Sequence, residues 1–540
     1  MMMSETIRRR DNEVFSNIAA IGSNSIRNFA STIGLSKDAV IRSLKALFKR
    51  NVYPESVFWE TAAGKNWINR FAVATLYEFG IKGNHGADKL SAFFKRVRLE
   101  KHIGISPSTL RTQFKRMEES IAKFQEINEK DSGKTPREII GSGDETFFNE
   151  MMIFVLMDLS SGYLVAEEPA SDRGYETWKA VAEKRLDPLG LKVRHFVSDR
   201  AKGLIKLALS GFGVASGADL FHVQYDIGKW LGLGFGRMVR TASDKVKTAK
   251  ERLHALQNRD AKQEDIIEAA QELGRIEADY DDIKQKKGEY SAIQQSISKS
   301  VHAFSIEDNN KKTSAQVRGE LQQEMNQLQI LAETNEIEDK KGILNKARKQ
   351  ISDLASIVDS WWLWAIESLV GHALSNDKQD WLLYSLLPVI YWAHQMGKAD
   401  NSDIRRACKK AWKKALADWH AHPMTSTASL DEILQWWSWA EWITDKFHRA
   451  SSAVEGRNGY LSQMHHNGRG LSKSRLKALT IIYNFELRRR DGTTAAQRLF
   501  NKEFPDLFEW LVDNMEVLPV PRERKKKKAY NPLNLQFVSA

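Results

Sequence analysis

Residues 151–168 read MMIFVLMDLSSGYLVAEE, which is an apolar run, a short Ser-Ser-Gly turn and a second apolar run. This pattern predicts two β-strands joined by a tight turn. The segments VRHFVSD (193–199) and LFHVQYD (220–226) predict two further strands, with helical patterns between them. Strands that alternate with helices after an opening hairpin indicate an α/β domain with a mixed sheet. We therefore expect such a domain over residues 136–235.

Helical patterns replace the strand patterns over residues 236–447. Within 245–357, apolar residues at heptad spacing over 266–283 and 317–354 predict coiled-coil-like arms, which form either an antiparallel hairpin or a dimer contact. Eleven Trp residues then fall within 358–447. We expect most of them to fill the core of a helical bundle, with stacking of a minority on unpaired bases as the alternative.

The charge of the chain is basic and unevenly distributed. The 540 residues carry 81 Lys and Arg against 69 Asp and Glu, a formal net charge of +12. Residues 1–124 contain 21 Lys and Arg against 11 Asp and Glu, a net charge of +10. Such a balance favours polyanionic partners, above all nucleic acid. The single cysteine, Cys408, excludes a disulfide scaffold, and the absence of a long apolar run predicts no membrane span.

The basic N-terminal segment predicts a helix-turn-helix domain over residues 1–55. In SIRNFASTIGLSKDAVIRSLKALFKR (25–50), Gly34 can end a first helix and Ser36 can cap a second. Phe48 belongs to the expected apolar stripe of that second helix. The opposite face is basic, and a recognition helix of this type would enter the major groove of DNA; a plain helical hairpin is the alternative. The expected DNA-contacting residues on this face are Lys37, Arg42 and Lys45.

A second helical DNA-binding unit is expected over residues 56–130. The segment 92–117 repeats the plan, because an apolar helix is followed by Gly104, a Ser-Pro-Ser start and a basic helix. Pro107 suits the first turn of that helix, where its missing N–H costs nothing. The expected DNA contacts of this unit are Arg111, Lys115 and Arg116.

Three carboxylates stand in contexts that suit phosphoryl-transfer chemistry. Asp144 lies in GSGDET before the apolar hairpin, and Asp199 ends the strand VRHFVSD. Glu455 lies in a helical pattern whose polar face also carries Asn458. Carboxylates from three rigid elements can hold two Mg²⁺ ions roughly 3.5–4 Å apart on a scissile phosphate.

These carboxylates and their surroundings resemble the DDE transposases of bacterial insertion sequences. The motifs that carry the resemblance are GDET (143–146), MDLSSGYLVAE (157–167), VSDRAKGL (197–204), ADLFHVQYD (218–226) and SSAVEGRNGYLSQMHHNGRG (451–470). The resemblance implies a ribonuclease H-like catalytic domain in which Asp144, Asp199 and Glu455 are the catalytic residues and hold two Mg²⁺ ions, with Mn²⁺ as an alternative.

The resemblance also implies how the rest of the chain is organised. Residues 236–447 would be a helical insertion between the first part of the catalytic domain and its last part, 448–500. Residues 501–540 would form a basic C-terminal tail. The whole is a multidomain α plus α/β protein.

The resemblance further suggests roles for single residues near the three carboxylates. Asp158 would be structural. Glu145 adjoins Asp144 and would point away from it if the strand is regular, which makes Glu145 the main alternative to Asp144 in the strand register. His222 and Lys229 would approach DNA, although a packed core histidine is an equal alternative for His222. The expected DNA contacts of the late helix are Arg457, Asn458 and His465.

The expected function is that of a transposase that binds transposon ends and target DNA as double strands, and then cleaves and joins strands. Its partners would be double-stranded DNA and further copies of itself in a homodimer or larger oligomer, without a membrane. It would lie in the cytoplasm with the nucleoid if the source is bacterial. The alternatives are a related nuclease that does not join strands, and a catalytically idle DNA-binding regulator.

Overall fold

The structure is a computed structural model that describes residues 14, 25–50, 52–53, 56, 58–59, 61–148, 151–259, 261–467, 470–515 and 518–521. The expected basic run Lys525–Lys528 and Arg469 lie outside the described residues. The chain divides into two compact units. One comprises the described residues up to 130, 461–497 and those from 501 on, and the other comprises 131–460 and 498–500. These divisions differ from the expected domains at 1–55, 56–130 and 448–500, because one unit is assembled from both ends of the chain.

In residues 25–130, apart from the positions that the structure does not describe, five α-helices come before the sheet. Their bounds are α1 Ile26–Thr32, α2 Lys37–Arg50, α3 Ala62–Thr75 continued by a π-helical segment Leu76–Lys82, α4 Ala87–Arg96 and α5 Pro107–Glu129.

The turn between α1 and α2 has the expected chemistry. Gly34 adopts a left-handed backbone with φ of +67°, and the Ser36 hydroxyl accepts the Ala39 N–H at 3.2 Å. The basic side chains Lys37, Arg42 and Lys45 are exposed. The expectation for Phe48 was wrong, because its side chain is 76% exposed, whereas Val40 and Leu47, which belong to the same expected stripe, lie in the small core as predicted.

The second helical unit also begins its long helix as expected. Pro107 occupies the first turn of α5, and the Ser106 hydroxyl accepts the Thr109 N–H at 3.2 Å. Arg111 and Lys115 are exposed. Arg111 donates to Asp88 at 2.9 Å, whereas Arg116 is half-buried.

The second unit contains a five-stranded mixed sheet in the order β3-β2-β1-β4-β5. Strands β1 to β3 are antiparallel, and β1 pairs in parallel with β4, which pairs in parallel with β5. The elements of this region are β1 Arg137–Phe148, β2 Met151–Asp158, β3 Leu164–Ala170, α6 Tyr175–Leu186, β4 Leu191–Ser198, α7 Lys202–Lys206 with a π-helical segment Leu207–Phe212, β5 Ser216–Ala218 and α8 Leu220–Ile227 with a π-helical segment Gly228–Gly232.

Two strand expectations are corrected. GDET lies inside β1 rather than before the first strand. The expected strand LFHVQYD (220–226) is helix α8, and the last strand is the short segment just before it. Asp219 explains the difference, because its carboxylate accepts the Phe221 N–H at 2.7 Å and so caps the helix. An apolar run of seven residues does not by itself distinguish a strand from a buried helix.

The helical region expected between the two parts of the catalytic domain is present in the described residues 220–445. Its helices, and those that follow, are α9 Leu233–Asn258, α10 Gln263–Ser300, α11 Ser314–Thr334, α12 Ile343–Val370, α13 Asn376–Asp380 with a π-helical segment Trp381–Leu386, α14 Leu387–Lys398, α15 Ser402–Ala421, α16 Pro423–Thr427, α17 Leu430–Asp445, α18 Ser452–Asn467, α19 Lys473–Phe485, α20 Ala495–Phe500 and α21 Leu507–Asn514.

The arms pair differently from the expectation. The helix α10 packs against α9, and the ion pairs Arg252–Glu272 (2.5 Å) and Lys250–Glu277 (2.8 Å) show that the two run antiparallel. The helix α11 packs mainly against α12. The chain therefore forms two hairpins of sequence neighbours, because short turns bring adjacent helices together at little entropic cost.

The Trp-rich region forms a helical core, as expected. Buried indole rings pack against one another and against Tyr391, and the Trp361 ring N–H donates to the Ile443 carbonyl at 2.8 Å. The buried members are Trp361, Trp362, Trp364, Trp381, Trp392, Trp419 and Trp436. Among the described residues, no helix combines the length and the apolar composition that crossing a bilayer requires.

Candidate active site

The parallel pairing of β1 and β4 brings two of the predicted carboxylates together. Gly143 of β1 is the register partner of Ser198 of β4, so that Asp144 and Asp199 follow at the same edge of the pair. Asp144 lies within the longer strand, whereas Asp199 comes directly after its strand and accepts the Ala201 N–H at 2.9 Å. The sheet register, not chain proximity, therefore makes the two carboxylates neighbours.

The helix α18 meets this edge of the sheet through Asn458. The Asn458 side-chain amide donates to Asp144 Oδ2 at 2.6 Å. Glu455 lies one helical turn before Asn458, and residues three apart share a helix face with about 5–6 Å between their Cβ atoms. Glu455 is therefore on the face of α18 that meets Asp144.

The surroundings of the carboxylates disfavour negative charge in the absence of a cation. Burial, followed by the nearby charge of Asp199, raises the pKa of Asp144 from 3.8 to about 7. Burial also raises the pKa of Glu455, although the charge of His222 opposes the shift. Carboxylates that share a buried site repel each other, and a cation between them would relieve that repulsion.

His222 lies between the carboxylates of Glu455 and Asp219, and Asp219 follows the last strand of the sheet. Its Nδ1 lies 2.8 Å from Glu455 Oε1 and 3.6 Å from Asp219 Oδ2. The interaction with Asp219 is the largest influence on His222 and raises its pKa to about 9. Possible metal-ligand atoms of Asp219, His222 and Glu455 lie within 4.8 Å of one another.

Asp219 was not predicted from the sequence. Burial alone would raise its pKa, but hydrogen bonds with His222 and Ser451 outweigh burial and lower the pKa below its ordinary value. Its Oδ2 accepts the Ser451 N–H at 2.9 Å, which fixes the chain just before α18. An acid three residues before a histidine at a helix start was the available signal.

Arg457 has a different role from the predicted DNA contact. Its guanidinium forms a bidentate ion pair with Glu167 of β3, at 2.8 and 2.6 Å, and both side chains are buried. In this arrangement the guanidinium faces a carboxylate and not solvent. Asn458, also predicted to contact DNA, donates to Asp144 as described above.

Glu145 and Asp158 have contacts that agree with what the sequence predicted for each. Glu145 points to the other face of the sheet, where Arg173 donates to it at 2.6 Å and Trp178 at 3.2 Å. Asp158 is buried and accepts the backbone N–H of Ile140 at 3.2 Å and that of Ser161 at 2.9 Å.

His465 and Lys229, which were also predicted to approach DNA, have contacts with residues other than the carboxylates. His465 belongs to the last turn of α18 and packs edge-on against His466, with ring centroids 5.6 Å apart. It falls in the other compact unit. The Lys229 ammonium lies 4.1 Å from the centroid of the Tyr225 ring.

The possible metal ligands whose atoms lie within 4.8 Å of one another are Asp219, His222 and Glu455, and this group differs from the three predicted carboxylates. Asp144, Asp199 and Glu455 offer carboxylate oxygens, which Mg²⁺ prefers, and they come from two strands and a helix.

Comparisons with known proteins give little further information. A family model described as "Family of unknown function (DUF6399)" matches residues 382–527. The matched segment includes the helix of Glu455 but neither aspartate, and it covers a minority of the chain. No curated protein matches the sequence.

Proposed function

We propose that this chain is a DNA transposase with a ribonuclease H-like catalytic domain. The observation that carries the proposal is that parallel strands bring Asp144 and Asp199 to one end of a mixed sheet, where the helix that carries Glu455 is attached through Asn458. Asp144 and Asp199 are placed by the parallel β1–β4 pair, and the Asn458–Asp144 hydrogen bond of 2.6 Å positions the helix of Glu455.

The sheet supports the fold part of the proposal. An antiparallel β1-β2-β3 meander, extended by two parallel strands on the other side of β1, suits a domain of this type. The helical region between α8 and α18 agrees with an insertion that leaves and returns near the site, because the Leu220 N–H donates to the Arg449 carbonyl at 2.9 Å.

In this proposal Asp144, Asp199 and Glu455 hold two Mg²⁺ ions, with Mn²⁺ as an alternative. When bound, the metal ions supply Lewis-acid stabilisation of the charge that develops on the phosphate oxygens. Asn458 orients the Asp144 carboxylate by its hydrogen bond. His222 holds the Glu455 carboxylate, and Asp219 holds His222 in turn.

The substrates are double-stranded DNA, first the transposon ends and then a target. The exposed basic residues of α2 and α5 supply the electrostatic attraction for the ends. A homodimer or larger oligomer would bring two ends together. If the source is bacterial, the protein acts in the cytoplasm on the nucleoid.

The test is a cleavage and joining assay with Mg²⁺ and DNA that carries the inverted ends flanking the gene. Three variants should each lower the cleavage rate at least about a hundredfold while binding of the ends persists: Asp144→Asn, Asp199→Asn and Glu455→Gln. The reason is that each substitution removes a metal-binding charge but little volume. The matched control is Asp187→Asn, an exposed carboxylate of the same domain.

The outcomes separate the three candidate functions. Cleaved and joined products support a transposase, and cleaved products without joining support a nuclease. End binding by the wild type with no cleavage in Mg²⁺ or Mn²⁺ supports a regulator. A near-normal cleavage rate in one variant removes that residue from the catalytic set.

A further inference from the structure

The first compact unit carries a row of aromatic rings that has no part in the carboxylate site. Consecutive ring centroids along the row are 5.0, 5.2, 4.9 and 6.1 Å apart. The rings of Trp67 and Phe71 are nearly parallel, with an interplanar angle of 10°. The members of this aromatic row are Phe58, Trp59, Trp67, Phe71 and Phe93.

The row is open to solvent along much of its length. Trp67 is 49% exposed, Phe58 46% and Phe93 36%, in contrast to the buried indole rings of the second unit. Large aromatic rings that stay exposed and aligned offer flat apolar faces to a ligand. Val97 extends the apolar surface one turn beyond Phe93 and is also exposed.

Positive charge surrounds the row. Lys89 and Arg96 are exposed and lie four residues before and three residues after Phe93, on the same face of α4. Arg70 lies three residues after Trp67 on α3, but its guanidinium forms a bidentate ion pair with Glu509, at 2.8 and 2.5 Å. Within residues 52–101, which contain all members of the row, eight Lys and Arg stand against five Asp and Glu. The basic members are Lys65, Arg70, Lys82, Lys89, Lys95, Arg96, Arg98 and Lys101.

We propose that the aromatic row binds single-stranded nucleic acid by stacking unpaired bases on its exposed rings, while the basic residues beside it bind the phosphates. Flat rings within a basic surface are the combination that binds single strands without sequence preference. A duplex cannot use the rings in this way, because its bases are stacked on one another and only their edges face the grooves. The charge complementarity favours a polyanion over a protein partner.

This inference does not rest on the proposed cleavage reaction. It concerns rings on α3, α4 and the segment before them, and it involves none of the three carboxylates. A chain that failed to cleave DNA would still be expected to bind single strands. Conversely, failure of this inference leaves the carboxylate site unaffected.

The experiment measures binding of the full chain to a fluorescent oligothymidylate, to an abasic strand of the same length and to a hairpin duplex. The variants are Trp67→Ala and Phe93→Ala, with Trp67→Phe as the conservative change. Phe79→Ala is the matched control, since Phe79 is 51% exposed in the same unit but packs on His85 outside the row.

We expect Trp67→Ala to weaken binding of the oligothymidylate roughly tenfold, with Trp67→Phe and Phe79→Ala close to the wild type. The wild type should bind the abasic strand about as weakly as Trp67→Ala binds the oligothymidylate, because both lack one partner of the stack. The affinity for the duplex should differ less than about twofold between Trp67→Ala and the wild type. The wild-type comparison of the two strands does not depend on how the variants fold.

Three results would overturn the inference. The first is equal binding of the oligothymidylate and the abasic strand by the wild type, which would assign the affinity to phosphates alone. The second is an equal loss of duplex binding in Trp67→Ala. The third is a sedimentation result in which the wild type is self-associated and Trp67→Ala is monomeric, because the row would then be an interface between copies of the chain.

Discussion

At the scale of single residues, Asp144 shows how the site stores electrostatic strain. Its carboxyl accepts the Glu145 N–H at 2.8 Å and the Asn458 amide at 2.6 Å, yet burial and Asp199 still raise its pKa to about 7. The folded chain therefore holds the Asp144 proton to a higher pH than the unfolded chain does. Deprotonation of Asp144 above its ordinary pKa of 3.8 costs folding free energy until a cation binds.

This gives a prediction for Asp144→Asn in the absence of divalent cations. The raised pKa means that the stability contributed by the protonated group is complete below about pH 4 and is lost as the pH rises through about 7. The variant escapes that loss, so that at pH 8 in EDTA it should be more stable than the wild type by up to about 4 kcal/mol, the free energy that corresponds to the shift from 3.8 to about 7. Urea unfolding at pH 4.5 and pH 8 measures the difference, with Asp187→Asn as control. A gain that is the same at both pH values would contradict the assignment.

Arg457 leads to a second prediction at this scale. Because Arg457 and Glu167 are both buried and form a bidentate pair, Arg457→Met leaves a carboxylate without its main partner in the interior. The expected loss of unfolding free energy is about 3–5 kcal/mol. Adding Glu167→Gln should recover most of it, and urea denaturation of both variants without DNA measures this. If Arg457→Met unfolded like the wild type but lost DNA affinity, a phosphate contact would be the better assignment.

At the scale of elements, the helices α2 and α5 each present exposed basic side chains after a capped start. Ser36 and Ser106 supply the caps, and Pro107 occupies the first turn of α5. The two helices share this local chemistry but differ in support, because α2 rests on a small cluster around Phe29 and Val40, whereas α5 contributes to the larger core of its unit.

The corresponding prediction follows from the proposed function and concerns binding of DNA that carries the proposed transposon ends by the full chain. Replacing Arg42 and Lys45 by Ala should weaken binding and reduce the slope of log affinity against log salt by about 2, which corresponds to two lost phosphate contacts. Replacing Arg111 and Lys115 should do the same independently if both helices touch the ends. Lys340→Ala with Lys341→Ala is a charge-matched control. A pair whose removal leaves the salt slope unchanged does not contact DNA.

At the scale of the whole molecule, the first unit is built from both ends of the chain. The Phe124 ring of α5 packs against Phe485 and Trp510, with centroids 5.4 and 5.5 Å apart. Arg475 of α19 donates to Glu118 of α5 at 2.7 Å. A fragment that stops before these late helices lacks part of the core around Phe124.

The prediction at this scale is that Phe124→Ala destabilises the first unit by about 3–5 kcal/mol, because it empties a fully buried ring position. Differential scanning calorimetry combined with limited proteolysis should show a lower melting transition for this unit. The protease-resistant fragment from residues 131–460 should persist at its wild-type temperature. Simultaneous loss of both units at one lower temperature would show that they unfold as a single cooperative body.

The sequence by itself determined the features that depend on near neighbours. The apolar hairpin at 151–168, the capped turn at Gly34 and Ser36, and the helical character of the Trp-rich region follow from local periodicity and turn chemistry. The candidate aspartates could be selected because each stands beside a predicted strand. The resemblance to transposases then suggested how they combine with Glu455.

Only the tertiary structure decided which distant residues meet. Asp219 and Ser451 are 232 positions apart, and Arg457 and Glu167 are 290 apart, so no local pattern reports either pair. The helix at LFHVQYD has a partly local cause, since its Asp219 cap is a sequence neighbour, whereas the burial of Leu220 and Val223 depends on the rest of the fold. Hydrogen bonds and burial between remote segments give these residues their roles, and that free energy exists only once the chain has folded.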